Sequence, residues 1–139
     1  MPALTKWVPR GIIGIAVVHL GYGLVVPNMA KALGEIVDEG IVNTVDGHPA
    51  RESWSWFMLT GLTWLGVGEM ARRTVRETGQ LPPHLGGWLL AVATPLTVVM
   101  PVSGGWLIAA VGALALRAAR QERPHAIAGA KQESAQIGA

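Results

Sequence analysis

Residues 11–27, GIIGIAVVHLGYGLVVP, form a run that is apolar except for His19 and Tyr22. Three more such runs follow, at 54–71, 85–101 and 102–116. Each is roughly 15 to 18 residues, near the lower limit for crossing a hydrocarbon layer as a helix. A bilayer core leaves no unpaired backbone group without penalty, so runs this uniformly apolar are expected to be helical. With 50% hydrophobic and only 14% charged residues, and a mean hydropathy of +0.38, the chain is too apolar for an ordinary soluble domain of 139 residues. The expected fold class is all-α: a polytopic membrane four-helix bundle with helices at about 9–27, 54–71, 85–101 and 102–117, in one transmembrane domain over 1–120.

The connections set the orientation. Lys6 and Arg10 precede the first run, Arg72, Arg73 and Arg76 follow the second, and Arg117, Arg120, Arg123 and Lys131 follow the fourth. The connection between the first two runs has only Lys31 and Arg51, among Glu35, Asp38, Glu39, Asp46 and Glu52. By the positive-inside rule both termini are expected in the cytoplasm of a bacterial inner membrane. Asn28–Ala30 is a poor cleavage site because asparagine stands where a small residue is wanted, so the first run is expected to be a retained helix. Within the outer connection, Met29, Leu33, Ile36 and Val37 recur at helical spacing opposite charged residues, which predicts a short amphipathic surface helix at about 29–39. Met100–Trp106, MPVSGGW, predicts a tight turn between the last two helices, because Pro101 breaks the ladder and Gly104-Gly105 permits a reversal. The small, polar segment 121–139 is expected to be a disordered cytoplasmic tail.

Several chemistries are excluded by what the chain contains. There is no cysteine, so no disulfide or thiolate chemistry. His19, His48, His84 and His125 show no metal-ligand spacing, and no phosphate loop or nucleophile elbow is visible, so no metal and no cofactor are expected. The pI near 9.5 reflects basic residues spread around the ends of the runs, not a basic face, so no nucleic-acid partner is expected.

The polar residues inside the runs are the candidate site. His19 and Tyr22 are one turn apart on one face, and an ionisable group at this depth faces either the bundle interior or a hydrogen-bonding neighbour. Trp56, Thr60 and Trp64 share a face of the second run, and Thr97 and Trp106 are positioned to join the same interior. Six tryptophans fit either an interfacial belt with core packing or an aromatic pocket for a flat hydrophobe or a carbocation. Glu69 has Arg72 and Arg73 at i+3 and i+4 and is expected to form an ion pair with them. Of the outer acids, Glu52 and Asp38 are favoured as acid-base groups alongside His19, with Arg51 placed to neutralise Glu52.

The segments GIAVVHLGYGL, WFMLTGLTWLGVG and LPPHLGGWLLAVATPLTVVMPVSGGWLI resemble an uncharacterised family of small bacterial four-helix membrane proteins, over about residues 7–120. That resemblance implies topology and no activity. In size, helix number and aromatic content the chain is also similar to the small integral-membrane terpene cyclases of actinobacterial meroterpenoid pathways. That similarity implies protonation-initiated cyclisation of an isoprenoid.

Three functions follow as expectations. The first is an intramembrane cyclase or isomerase for an isoprenoid or lipid-like substrate, with Glu52, Asp38 and His19 catalytic and Tyr22, Trp56, Thr60, Trp64, Thr97 and Trp106 binding the substrate. The second is a non-catalytic lipid-binding or partner subunit of a membrane complex. The third is a dimeric proton-coupled exporter, disfavoured because the first helix offers histidine where such transporters need a carboxylate.

Overall fold

The computed structural model describes the backbone of residues 3–137 and the side chains of residues 3–121. The described residues are all helical, with no strand: α1 Ala3–Val25, α2 Pro27–Asp38, α3 Pro49–Thr78, α4 Leu85–Val99 and α5 Gly105–Ile137. Prolines punctuate them. Val26 is extended (φ −70°, ψ 127°), as a residue before proline prefers to be, and Pro27 opens α2, where a missing N–H does no harm. Pro49 opens α3, with Glu52 in the first turn, at the positive end of the helix dipole. The α4–α5 turn falls on the expected MPVSGGW segment.

Three helices, α1, α3 and α5, outrun their apolar segments, while α4 ends at Val99, short of residue 101. α1 starts well before residue 9, and α3 extends past 54–71 at both ends. Hydropathy marks the apolar stretch, whereas a helix ends where its backbone bonding ends. Likewise α5 continues beyond 117 through RAARQER, a stretch of strong helix formers, and runs on to Ile137. Of the tail expected at 121–139, residues 138–139 and the side chains from 122 onward lie outside the described residues. Among the described helices, α1 is long and apolar enough to cross a membrane, with a mean hydropathy of 1.5, whereas α4 is apolar but has only 15 residues.

The chain divides into two compact units, Ile12–Gly68 and Met1–Gly11 with Glu69–Ala139. The second is built on the antiparallel α4–α5 pair. Gly105, Ile108, Gly112 and Ala115 recur at alternating spacings of three and four; Gly105 lies against Leu96 and Thr97 of α4 and Gly112 against Leu89 and Leu90, and Ile108, Ala115 and Ala93 are buried. A Cβ at Gly86 would stand 2.9 Å from the Leu116 amide nitrogen, so here the backbones approach as closely as glycine allows.

Candidate functional site

In the unit of residues 12–68, α1 and α3 run antiparallel, joined through glycines. Gly23 lies against Phe57 and Met58, Gly61 against Leu20 and His19, and Gly68 against Ile13 and Ile12. With no Cβ at Gly61, the His19 imidazole lies flat on Phe57, centroids 3.7 Å apart and planes 12° apart. Its Nε2 lies 3.0 Å from the Phe57 carbonyl oxygen. A carbonyl only accepts, so Nε2 carries the hydrogen, and in the neutral ring Nδ1 is the basic nitrogen. Tyr22 meets Phe57 at a tilt, 5.9 Å between centroids, and is 52% exposed.

A second bond runs the opposite way. In an unbroken helix the Gly23 carbonyl would accept from the residue four positions on, but that residue is Pro27, which has no N–H. The Trp54 indole Nε1–H donates to it instead, at 3.0 Å. His19 and Trp54 thus each reach the backbone of the other helix.

The connection between α2 and α3 is held by Arg51, only 5% exposed. Its guanidinium is held in a fork by Glu39, with Nη1–Oε2 at 2.6 Å; Nε donates to Glu35 at 3.3 Å and Nη1 to the Thr44 carbonyl at 2.8 Å. Arg51 holds the Glu39 carboxyl below its ordinary range, and Glu39 in turn raises Arg51. Between these anchors the chain adopts positive φ at Gly40, Ile41 (68°), Asn43 (59°) and Gly47. For the β-branched Ile41 this is a strained conformation. Glu52 closes the loop by accepting from the Gly47 N–H at 2.8 Å.

The expected site residues therefore have separate engagements. Glu52 braces the loop, Asp38 is exposed at the end of α2, and among the described residues neither is hydrogen-bonded or ion-paired to His19. Trp56 is 70% exposed and Thr60 donates to the Trp56 carbonyl, while Trp64 is half-buried. Thr97 and Trp106 belong to the other unit: Thr97 donates to the Ala93 and Thr94 carbonyls, and Trp106, 63% exposed, donates to the Pro101 carbonyl. Arg51 has Glu35 and Glu39 as partners, not Glu52. Glu69 takes both Arg72 and Arg73.

Sequence reasoning missed Arg51, Trp54 and Phe57 as organising residues. A signal for two of them was present: Glu35 and Glu39, at i and i+4, offer one basic group a shared face, and Pro27 orphans the Gly23 carbonyl. Phe57 acts through its ring and main chain, which no residue pattern flags. Among the described residues no group of three His, Asp or Glu could hold a metal ion.

A family of unknown function (DUF6463) matches residues 3–122. Neither a curated protein nor a solved structure matches the chain. The similarity to terpene cyclases therefore has only size, helix number and aromatic content behind it.

Proposed function

We propose that this chain, which belongs to the family of unknown function DUF6463, is a non-catalytic subunit of the bacterial inner membrane, a polytopic four-helix bundle with both termini cytoplasmic. Its four embedded helices are α1, α3, α4 and α5, and its outward aliphatic and aromatic faces bind lipid or the helices of a partner. The observation that carries this reading is the disposition of the polar and aromatic groups. Trp56, Trp106 and Tyr22 face outward, while His19, Trp54, Thr60 and Thr97 are hydrogen-bonded to backbone carbonyls. His19 and Trp54 so join α1 to α3, and Thr60 and Thr97 pair within their own helices, which suits a medium without water. The exposed aliphatics Val18, Val25, Val92, Val98 and Val99 would be an aggregation hazard in water and suit acyl chains.

The isoprenoid cyclase or isomerase is the second reading. What favours it is the half-buried His19 ring, whose Nδ1 is a base inside an apolar run.

One experiment separates the two. The protein is reconstituted in nanodiscs, where retained lipids and partners are read by native mass spectrometry and turnover is assayed with polyprenylated substrates. Trp56→Ala with Trp106→Ala is expected to reduce retention, while Glu52→Gln, Asp38→Asn and His19→Gln leave it intact. Turnover that disappears in Glu52→Gln or His19→Gln would replace the first reading with the second.

A further inference from the structure

The α4–α5 turn has the proline and glycines of a reversal but none of a surface loop's charge. No Asp, Glu, Lys or Arg occurs between Glu77 and Arg117, so the hairpin has no charged residue in either arm or at its tip. The tip is apolar and uncovered: Val98, Val99 and Met100 are exposed, Val102 is 100% exposed, and Trp106 and Leu107 follow. In water this would be an unfavourable end to a hairpin. The arms are also short. The 15 residues of α4 rise about 22 Å and residues 105–116 of α5 about 18 Å, against a hydrocarbon layer of about 30 Å.

The turn also meets many of its own hydrogen-bonding needs. The Ser103 N–H donates to the Met100 carbonyl, Met100 to Leu96, Leu107 to Gly104, and Gly105 to the Ser103 hydroxyl oxygen. The Trp106 indole N–H would bond headgroups or water if it belonged to an interfacial belt; here it donates to the Pro101 carbonyl at 2.9 Å. Thr94 and Thr97 likewise donate to carbonyls of their own helix. Irregular backbone is tolerated in hydrocarbon only when its polar groups are paired from within.

We infer that α4 and α5 form a re-entrant hairpin, entering and leaving on the cytoplasmic side, with the Val98–Leu107 tip packed among acyl chains short of the outer surface. The inference rests on the membrane reading above and adds that the tip's partner is lipid and that the turn is closed to outer water. The chain has no cysteine, so single cysteines report position directly. Val102→Cys is compared with Val42→Cys in the exposed outer connection and Gln80→Cys in the exposed connection before α4. A membrane-impermeant maleimide is expected to label Val42→Cys from outside and Gln80→Cys in inside-out vesicles, and Val102→Cys from neither side. A bimane attached at position 102 in detergent and reconstituted is expected to be quenched severalfold more by lipids brominated deep in the chain than the same probe at position 42.

Labelling of Val102→Cys from outside at the rate of Val42→Cys would overturn the inference. So would a position 102 that is neither labelled nor quenched, because protein and not lipid would then cover it. Labelling of all three cysteines in a soluble fraction would bring down the membrane reading itself, a different failure recognised by where the protein is found.

Discussion

The Gly23 carbonyl shows how one residue choice creates a need that another meets. Pro27 opens α2 but removes the N–H that carbonyl would have used, and Trp54 supplies a replacement from α3. Trp54→Phe keeps an aromatic side chain, though a smaller one, and removes the donor, leaving an acceptor unpaired, which is expected to destabilise the α1–α3 pair by about 1–2 kcal/mol beyond the indole packing lost. Adding Pro27→Ala restores a local donor, so the double variant should lose less than Trp54→Phe alone, and a denaturation cycle in detergent or nanodiscs measures the coupling. Two neighbouring glycines make a sharper test. A Cβ at Gly86 meets the Leu116 side chain and backbone within 3 Å, whereas a Cβ at Gly87 meets nothing within 4 Å. Gly86→Ala is expected to force α4 and α5 apart at a loss of about 1–3 kcal/mol, and Gly87→Ala to be neutral or to stabilise by up to about 1 kcal/mol. Melting temperatures of the two variants should move apart. Composition alone would not distinguish these glycines, because the difference lies in which side of α4 faces α5. His19 was legible as a polar group that must find a partner. That partner, a main-chain carbonyl laid open by Gly61, belongs to a helix 38 residues away in sequence and leaves no mark in the run around His19.

At the scale of elements, the amphipathic helix was legible because two periodicities, apolar and charged, coincide over a dozen residues of α2. The ends of α1 and α3 were not, since a hydropathy run reports the medium around a helix and says little about where its hydrogen bonds stop. The connection after α2 is set by Arg51, whose hydrogen bonds tie α2, the loop and the start of α3 into one piece. Because Arg51 lowers the folded-state pKa of Glu39 below the ordinary 4.5, the stabilisation from this pair is complete above that value. It is lost as the pH falls below 4.5 through the folded-state pKa, so loop amides at 40–48 should lose protection, read as exchange relative to the intrinsic rate at the same pH, while those of α1 and α3 hold. Arg51→Gln should produce the same loss of protection at neutral pH and abolish the acid transition, as protection factors followed from pH 7 downward will show. If Glu52 instead held the loop alone, through the Gly47 N–H, Arg51→Gln would leave exchange unchanged.

For the whole molecule, the orientation proposed above rests on where charge is placed and not on how side chains pack. Nine of the 11 basic residues precede the first apolar run or follow the second or fourth, and the connection between the first two runs has five acids against two bases. The structure adds that Arg51, one of those two, is sequestered by Glu35 and Glu39, so Lys31 is the more available positive charge there, itself 3.7 Å from Glu35. On the membrane reading proposed above, translocation of this connection would meet little resistance from positive charge. A phosphatase domain active only outside the cytoplasm, inserted after Asn43, is expected to be active, and the same domain fused after Arg117 inactive, with a fluorescent protein giving the opposite pattern. Reversing the bias by Lys6→Glu and Arg10→Glu together with Asp38→Lys and Asp46→Lys should yield a mixed population reporting both orientations. An unchanged pattern in that variant would mean that the charges do not set the orientation, and that the helices themselves, with α1 both long and apolar enough to cross and α4 too short to cross alone, determine which way the chain inserts.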